Sequence, residues 1–497
     1  MRLHELLGGI GVLGWVGDRS VEVSAITHDS RRAARGSCFA CIPGAVTDGH
    51  LHAGAAVDAG AVALLVEREL DLPVAQARVA GVRAALGPAA AALYDHPSRR
   101  LRCLGVTGTN GKTTVTYLLE AIARAAGQRV GLIGTVGARV DGEPLPLERT
   151  TPEADDLQAI LARMRDEDVR TVALEVSSHA LEQHRVDGTW FAAACFTNLS
   201  QDHLDYHGSM ESYFEAKARL FDPTRTAAAA VNVDDRNGVE IARRANDAGL
   251  PVLTFAGSDE QRSTGVDVVA EDVELNGSGS RFVLATRRTG ERAAVASPLL
   301  GRFNVSNAVA AAATALASGL PFDAIVGGLQ APLAIPGRLE RVLVAPDQPF
   351  TVLVDYAHTP DALERVLDTA RRLGPGGRVV LVFGAGGDRD RRKRPAMGRA
   401  AAGGADVVVL TSDNPRSEEP EQIAGAVLDG LRDGPARVVV ELDRRAAIRD
   451  AMREAKPGDV VVIAGKGHEA GQTIGERTVA FDDRVVAREE LEALECA

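Results

Sequence analysis

Short apolar runs alternate with helix-spaced segments along most of the chain. In the middle of the chain the apolar runs have the length and β-branched content of buried strands; they cover 101–106, 130–136, 171–176, 192–197, 227–233 and 252–255. Strands that alternate with helices are typical of a parallel sheet with helices on both faces. The pattern therefore predicts an α/β fold with a doubly wound, mainly parallel central sheet.

The flanking regions show related patterns. Residues 1–97 read as a small α/β domain with strands at 21–26, 38–42 and 61–66 and a helix at 53–59, and a polar stretch, 94–100, reads as a linker. A polar insert at 258–300 reads as a β-rich edge, and an Ala-rich helix runs from about 301 to 317. Strands at 351–354, 379–383, 407–410, 438–441 and 460–463 each end in a polar loop, which predicts a second Rossmann-like unit. We therefore expect domains at 1–97, 98–334 and 335–497.

Composition narrows the class of protein. A length of 497 residues suits about three domains. The net charge of −12 and the lack of a basic run argue against nucleic acid as a main partner. Because the sequence has no signal-peptide core and no apolar run long enough to span a bilayer, we expect a cytoplasmic protein.

The cysteines predict core positions rather than a metal site. There are five, and Cys38 and Cys41 have C-x-x-C spacing. No second pair or nearby histidine follows to complete a zinc site. The segment also reads as a strand, so we interpret both thiols as core residues.

The stretch Gly105-Val-Thr-Gly-Thr-Asn-Gly-Lys-Thr-Thr114 carries the strongest chemical signal. It follows a predicted strand and opens a helix that ends near Gly127. Backbone N–H groups of a glycine loop and a helix N-terminus together form a phosphate cradle. Lys112 is expected to pair with the outer phosphates and Thr113 to ligate Mg²⁺. ATP is the expected nucleotide, and the competing interpretation is a plain Gly-rich turn.

Polar groups follow the neighbouring strands. Glu175 ends one strand, and His203 lies in the polar segment after the next, so both are expected at the edge that carries the phosphate loop. A carboxylate and a histidine there predict a metal site, against the alternative of solvated loop residues. Lys217 lies in a predicted helix, and the sequence pattern alone does not identify it as a functional residue.

Taken in order, these motifs resemble those of the Mur ligase family over essentially the whole chain. The matching segments are Thr107–Thr114, Thr150–Pro152, Glu175–His179, Thr197–Asp205, Phe303–Asn307, Asp355–His358, Asp413–Arg416 and Gly465–Glu469. The resemblance implies an ATP-dependent amide ligase of peptidoglycan precursor synthesis. It also implies UDP-binding, ATP-binding and amino-acid-binding domains in that order.

The resemblance further implies roles for individual residues. Lys217 would be carboxylated on its amine and would support a second Mg²⁺, with Thr113, Glu175 and His203 as metal ligands; Lys112, Lys217, Glu175 and His203 would form the catalytic group. Nucleotide contacts would come from Gly108, Thr109, Asn110, Gly111, Lys112, Thr113, Thr114, Asn304, Asn307, Arg338, Asp355 and His358. The UDP-muramoyl-peptide would be held by Ser30, Thr150, Thr151, Ser177, Gln183 and Arg185. The uracil-side contacts near Pro43–Thr47 are not assigned.

The resemblance also implies that the enzyme adds meso-diaminopimelate. This amino acid would be joined to the D-glutamate of UDP-N-acetylmuramoyl-L-alanyl-D-glutamate. Its pocket would contain Arg389, Asp413, Asn414, Pro415, Arg416, Gly465 and Glu469. Arg416 offers a planar fork for the second carboxylate, which lysine lacks. Both His203 and His358 are candidates for the general base. If His203 binds a metal, it could not act as this base.

Two alternatives remain open from the sequence. The first is a sibling ligase that adds L-lysine to the same acceptor or glutamate to folate. The second is a phosphate-loop ATPase without ligase activity, which would leave the polar strand ends of the C-terminal region unexplained. We expect a monomer with small-molecule substrates and with domain closure during the reaction.

Overall fold

The sheets of the computed structural model lie in three separate stretches of the chain. The structure describes residues 1–44, 47–145, 147, 149–257 and 265–495. The first stretch contains α1 (Leu3–Leu6), β1 (Val12–Val16), β2 (Ala25–Thr27), β3 (Ser37–Ala40), α2 (Ala53–Asp58), β4 (Ala63–Val66), β5 (Ala75–Val79) and α3 (Val82–Leu93). Its strand order is β1-β5-β4-β3-β2, with β1 antiparallel to β5 and the other pairs parallel.

The central stretch forms the largest sheet. Its elements are β6 (Arg102–Thr107), α4 (Lys112–Ala125), β7 (Val130–Gly134), β8 (Gly137–Val140), β9 (Glu143–Leu145), α5 (Ala154–Asp166), β10 (Thr171–Glu175), α6 (Ser178–Glu182), β11 (Ala193–Phe196), α7 (Leu204–His207), α8 (Met210–Ala218), β12 (Ala229–Asn232), α9 (Arg236–Asp247), β13 (Val252–Ala256), β14 (Val268–Asn276), β15 (Gly279–Thr286), β16 (Arg292–Ser297), α10 (Arg302–Ala317) and α11 (Phe322–Gln330). The strand order is β16-β15-β14-β13-β12-β11-β6-β10-β7-β8-β9.

Seven neighbouring strands pair in parallel, in the order β14, β13, β12, β11, β6, β10 and β7. The outer strands pair antiparallel, with β15 and β16 at one edge and β8 and β9 at the other. One apolar cluster packs α4 and α10 against one face of the sheet, including Leu104 and Val106. A second cluster covers the other face, including Cys103 and Val172. Since successive strand residues point to opposite faces, β6 supplies both clusters. This arrangement confirms the predicted doubly wound fold.

The C-terminal stretch forms a second parallel sheet. Its elements are β17 (Glu340–Val342), β18 (Thr351–Asp355), α12 (Pro360–Leu373), β19 (Val379–Phe383), α13 (Lys393–Gly404), β20 (Val407–Leu410), α14 (Pro420–Leu431), β21 (Arg437–Val440), α15 (Arg444–Glu454), β22 (Val460–Ala464), β23 (Gly471–Ile474), β24 (Arg477–Ala480) and α16 (Asp483–Glu495). The order is β17-β18-β22-β19-β20-β21, in which only β17 is antiparallel, and β23 pairs with β24 as a separate hairpin. Each parallel strand delivers its polar loop to the same sheet edge.

The predicted strand over 21–26 is shorter in the structure. Only Ala25–Thr27 pairs with the sheet, because the backbone around Val21 and Val23 bonds to Leu3 and Met1 instead. The β-rich edge predicted over 258–300 is present as β14–β16, while 258–264 lie outside the described residues. Cys38 and Cys41 are buried free thiols, as predicted.

Candidate active site

The phosphate loop runs from Gly108 to Gly111, between β6 and α4. Gly108 has φ +150° and approaches the next strand loop so closely that a Cβ would lie 1.9 Å from the Thr197 hydroxyl oxygen. Helix α4 begins at Lys112, so its first N–H groups face the loop without helical partners. Thr113 and Thr114 lie in this first turn. The geometry is that of an anion site.

Two lysines converge on this loop. The Lys112 Nζ donates to the carbonyl oxygens of Gly108 at 2.9 Å and Thr109 at 2.8 Å. The Lys217 Nζ, on α8, donates to the same Gly108 oxygen at 2.8 Å. Burial lowers the pKa of Lys217 well below its usual value, and the neighbouring Lys112 lowers it further. The loop therefore combines a phosphate-binding cation with a buried amine.

Glu175 lies beside the loop at the end of β10. It is paired in register with Val106 of β6 and is 1 % exposed. Its carboxylate accepts bonds from the Thr135 backbone N–H at 2.9 Å and hydroxyl at 2.8 Å. The side chain is thus fixed at the edge where the sequence predicts it.

His203 lies in the loop that follows β11. That loop is fastened to the phosphate loop, because Thr109 N–H donates to the Asn198 carbonyl at 2.9 Å and Asn110 N–H to the Asn198 amide oxygen at 3.0 Å. Burial lowers the pKa of His203 to about 3, although Asp202 opposes the shift. An imidazole with this pKa is uncharged at neutral pH, and a neutral imidazole nitrogen can bind a metal.

Asp202 is a buried residue that sequence reasoning missed. Its carboxylate faces His203 at 3.4 Å, His358 at 3.6 Å and the Lys393 ammonium at 3.4 Å. Burial raises the pKa of Asp202, but the hydrogen bond from His358 and the charge of Lys393 outweigh it, so the pKa lies well below its usual value. In the sequence, Asp202 could have been identified from its position next to the predicted site residue His203. The contact ties the central sheet to the C-terminal domain.

The donor types at the loop fit a hard divalent cation. Thr113 and Glu175 provide oxygen atoms, which Mg²⁺ prefers, and His203 provides a neutral nitrogen. Thr113 Oγ1 also accepts a bond from the Arg338 guanidinium at 3.0 Å. In the described part of the chain, the acidic and imidazole groups at this edge do not form a ready three-ligand cluster. An oxygen-rich ligand such as a phosphate would have to complete the coordination.

A cavity of about 920 Å³ opens beside the loop between the central and C-terminal domains. Asn307 lines it, and the Asn307 amide donates to the Asn304 side-chain oxygen at 2.9 Å. Arg338 stacks 4.6 Å from the ring of Tyr356, and its buried Nε has no hydrogen-bond partner among the described residues. An unpartnered guanidinium nitrogen fits a phosphate-bearing ligand.

The other predicted nucleotide contacts lie on the C-terminal side. The Asp355 carboxylate accepts from the Leu339 N–H at 2.7 Å, and burial raises the pKa of Asp355. The His358 Nδ1 contacts the Tyr356 carbonyl at 2.7 Å. Asn110 bridges the domains through Asp361 at 2.9 Å.

The residues predicted to hold the muramoyl-peptide form one cluster. The Thr151 hydroxyl donates to the Glu175 carbonyl at 2.8 Å, and Ser177 N–H donates to that hydroxyl at 3.2 Å. Arg185 donates to the Thr151 carbonyl at 3.2 Å and to the Gln183 amide oxygen at 2.6 Å. The Thr150 hydroxyl accepts from the Thr135 hydroxyl at 3.2 Å.

Ser30 lies apart from this cluster, in a turn of the N-terminal domain. The turn is joined to the central domain by His28, which contacts the Asp155 carboxylate at 2.8 Å. Asp155 lies in the first turn of α5, the helix that follows Thr150–Pro152. The structure therefore places Ser30 on the N-terminal domain, and its predicted contact with the uridine diphosphate end remains a prediction.

The loops predicted to bind the amino acid meet at the edge of the C-terminal sheet. The Asn414 amide donates to Glu469 Oε2 at 2.8 Å. Arg416 has φ +55°, and its Nη1 donates to the Gly387 carbonyl at 2.6 Å, which fixes the guanidinium at the rim. Pro415 precedes it, and exposed Arg389 lies on the adjacent loop. A Cβ at Gly465 would lie 2.6 Å from Asp413 Oδ2, so this approach requires glycine.

Lys466 is the second residue that sequence reasoning did not select. Its side chain is fully buried, and its Nζ contacts Glu469 Oε2 at 3.1 Å, Asn414 Oδ1 at 3.3 Å and the Gly471 carbonyl at 2.6 Å. It therefore fixes the two side chains that face the predicted amino-acid site. Its place between two glycines of the Gly465–Glu469 motif was the only sequence signal.

Comparison with sequence families gives matches along the chain. The Mur ligase middle domain matches residues 106–315, the Mur ligase glutamate ligase domain matches 337–467, and the Mur ligase family catalytic domain matches 22–106. Together they cover most of the N-terminal, central and C-terminal stretches of the chain.

Individual proteins give the same picture. The chain is 45% identical over 474 residues to the UDP-N-acetylmuramoyl-L-alanyl-D-glutamate--2,6-diaminopimelate ligase of Geobacillus thermodenitrificans, covering 94% of each chain. It is 44% identical to the protein of the same name from Streptomyces avermitilis, covering 99% of this chain and 96% of that one. A solved structure of a UDP-N-acetylmuramoyl-L-alanyl-D-glutamate--2,6-diaminopimelate ligase superposes with a TM-score of 0.70 at 35% identity, covering 100% and 99% of the two chains.

Proposed function

The chain belongs to the Mur ligase family, and on that premise we propose that it joins meso-diaminopimelate to the D-glutamate of UDP-N-acetylmuramoyl-L-alanyl-D-glutamate at the cost of ATP. The choice of diaminopimelate as the amino acid is supported mainly by the arrangement of side chains at the rim of the C-terminal pocket. There the Arg416 guanidinium is held by the Gly387 carbonyl at 2.6 Å, and the Asn414 amide donates to Glu469 at 2.8 Å. The near-full-length identity to diaminopimelate ligases supports the same choice.

The first step transfers the γ-phosphoryl group of ATP to the γ-carboxylate of D-glutamate and forms an acyl phosphate. Two anions must approach each other in this step, so positive charge is needed between them. Lys112 and the N-terminus of α4 supply that charge from the protein. Mg²⁺ held by Thr113, Glu175 and His203 would add charge neutralisation on the phosphate oxygens.

The second step forms the amide. The neutral amine of diaminopimelate attacks the acyl carbon, a C–N bond forms, the C–O bond to phosphate breaks, and the nitrogen gives up one proton to a general base. The protein must hold acceptor and amine together, and the peptide cluster around Thr151 and the pocket around Asn414 lie on different domains. Interdomain contacts such as that of Asn110 with Asp361 support their approach to one another.

Selection against lysine follows from charge. Diaminopimelate ends in a second amino-acid group, whose carboxylate matches the planar fork of Arg416 and whose ammonium matches Glu469. Lysine has no second carboxylate and would leave the Arg416 fork without this ligand group, which costs binding free energy. The pocket therefore supports diaminopimelate over the lysine-adding alternative.

We further propose that Lys217 is carboxylated in the active enzyme. Its amine is 1 % exposed and, within the described chain, has no carboxylate at ion-pair distance. A carbamate would convert this buried cation into an anion beside the phosphate loop. It could then support a second Mg²⁺.

The enzyme is proposed to act as a cytoplasmic monomer. Residues of one chain supply the phosphate loop, the peptide cluster and the amino-acid pocket. No helix in the described ranges has the length and apolarity to cross a membrane.

Isotope transfer tests the reaction. An acceptor whose D-glutamate γ-carboxylate carries ¹⁸O is incubated with ATP, Mg²⁺ and diaminopimelate, and the released phosphate is analysed by mass spectrometry. An acyl phosphate route places one ¹⁸O in the phosphate. Phosphate without ¹⁸O, released together with tripeptide product, would contradict the route, and phosphate release without product would favour the ATPase alternative.

A further inference from the structure

A basic cavity lies at the end of the central sheet opposite the phosphate loop. Its volume is about 430 Å³, and we call it the arginine basin. It is lined by Arg99, Arg100, Leu101, Arg102, Gln128, Arg170, Trp190 and Ala192. The wall thus carries four guanidinium groups and no carboxylate, in a chain whose net charge is −12.

The guanidinium groups come together from separate chain segments. Arg99 and Arg100 close the stretch that the sequence suggested as a linker, and Arg102 begins β6. Arg170 precedes β10, and its carbonyl accepts from the Arg102 N–H at 2.8 Å, which makes the two arginines strand neighbours. The fold, rather than one basic run, therefore concentrates the charge.

Most of this charge is not neutralised by the protein. Arg100 pairs with Asp95 at 2.6 Å, but both side chains are exposed. Arg99 stacks 4.1 Å from the ring centre of Trp190, and Arg102 donates to the neutral Gln128 amide at 3.3 Å. Within the described ranges, no carboxylate lies at ion-pair distance from Arg99, Arg102 or Arg170. By contrast, Arg124 on α4 and Arg163 and Arg165 on α5 are each paired with a carboxylate.

Two of the arginines are also held in place. The Trp190 N–H donates to the Ser98 hydroxyl at 2.9 Å, which fixes the turn that carries Arg99. Gln128 accepts from the Thr171 hydroxyl at 2.6 Å, which fixes the side chain that bonds Arg102. Held guanidinium groups with free N–H donors lose little conformational entropy when they bind an anion.

From this geometry we propose that the arginine basin binds a small soluble oligophosphate, at a site separate from the ATP site. Guanidinium groups bind phosphate through paired N–H donors, and several of them favour a ligand with several phosphates over a single one. The Arg99 side chain covers one face of Trp190, and the guanidinium groups of the basin match the phosphate groups of such a ligand. Strand β6 separates the two sites by about 17 Å, at 3.3 Å per residue.

The fluorescence of Trp190 provides a local test. The chain has two tryptophans, so Trp15→Phe leaves Trp190 as the reporter. Inorganic tripolyphosphate is titrated into this protein and into the same protein carrying Arg102→Gln and Arg170→Gln. A matched control carries Arg163→Gln and Arg243→Gln, which remove the same charge from arginines paired with Glu167 and Glu240 on exposed helix faces.

We expect a saturable fluorescence change in the parent and the control, and at least a tenfold weaker Kd in the basin variant. Arg170→Glu alone, at an exposed position, is expected to weaken Kd by a similar factor and serves if the double variant does not fold. The absence of a saturable change in the parent, or equal Kd values in all folded variants, would overturn the proposal. Ligase turnover at saturating ATP is expected to be unchanged in the basin variants.

Discussion

At the residue scale, we propose that Arg416 determines which amino acid the pocket accepts. Its Nη1 donates to the Gly387 carbonyl at 2.6 Å, and the guanidinium has no other hydrogen-bond partner among the described residues. Arg416→Ala is expected to raise the KM for diaminopimelate about 10- to 100-fold, because a hydrogen bond to a charged group contributes about 1.5–3 kcal/mol. The KM for ATP should stay within about twofold. Steady-state kinetics with each substrate varied in turn provides the measurement, and equal changes in both constants would contradict the role.

Lys466 is a positioning residue in the same pocket. Lys466→Met keeps the length of the side chain but leaves Glu469 and Asn414 without their buried partner. We expect the KM for diaminopimelate to rise about tenfold, on the scale of one charged hydrogen bond, with little change in the KM for ATP.

The exposed Lys456, changed to Met, is the matched control for charge removal. A loss of thermal stability without a selective change in the diaminopimelate KM would show that Lys466 serves the fold alone.

The phosphate loop is the element on which the chemistry depends. Gly108→Ala is expected to abolish measurable ATP binding, because the Cβ would lie 1.9 Å from the Thr197 hydroxyl and φ is +150°. Calorimetric titration with ATP and Mg²⁺ tests this expectation.

Gly127→Ala is the control at the other end of the same helix. Its φ of +70° is also unfavourable for alanine, but a Cβ there would meet nothing within 4 Å. The control should lose stability and keep its ATP affinity. Wild-type ATP affinity in Gly108→Ala would show that the loop has another role.

The sequence was most informative about the positions of the secondary-structure elements. The apolar runs predicted the central strands to within about two residues, because buried parallel strands read as continuous apolar segments. The motif around Gly108–Lys112 likewise fixed the position of the phosphate loop, since strand, glycine loop and helix are consecutive in the chain. The predicted domain boundaries and site roles remain predictions.

Residues whose partners are distant in sequence could not be found in this way. Asp202 meets Lys393 across 191 positions, and Lys466 meets Asn414 across 52. The arginine basin likewise exists only once β6 and β10 are neighbours. Such contacts depend on the folded topology, which local patterns do not encode.

At the scale of the whole molecule, His28 joins the N-terminal domain to the central domain. Its Nδ1 contacts Asp155 at 2.8 Å, with Glu153 and Asp156 nearby and Arg32 paired to Asp156. Burial lowers the pKa of His28, but the hydrogen bond to Asp155 and the acidic neighbours outweigh it, so the pKa is raised above 6.5. The contact therefore stabilises the protein fully below pH 6.5 and loses strength as pH rises through the raised value.

His28→Gln should consequently lower the melting temperature more at pH 6 than at pH 8.5. Scanning calorimetry of both proteins across this range provides the test. His52→Gln is the control, because His52 bonds Thr47 within the N-terminal domain. A His28→Gln effect that is constant with pH, or larger at high pH, would refute the assignment.

We propose that this ligase requires both the acceptor and diaminopimelate. Measuring ADP release tests this requirement directly. Purified protein receives UDP-N-acetylmuramoyl-L-alanyl-D-glutamate, Mg²⁺ and ATP, with no amine, with L-lysine or with meso-diaminopimelate. We expect sustained ADP release with diaminopimelate alone. Sustained release with lysine would contradict the role of Arg416, and sustained release without any amine would contradict the ligase itself.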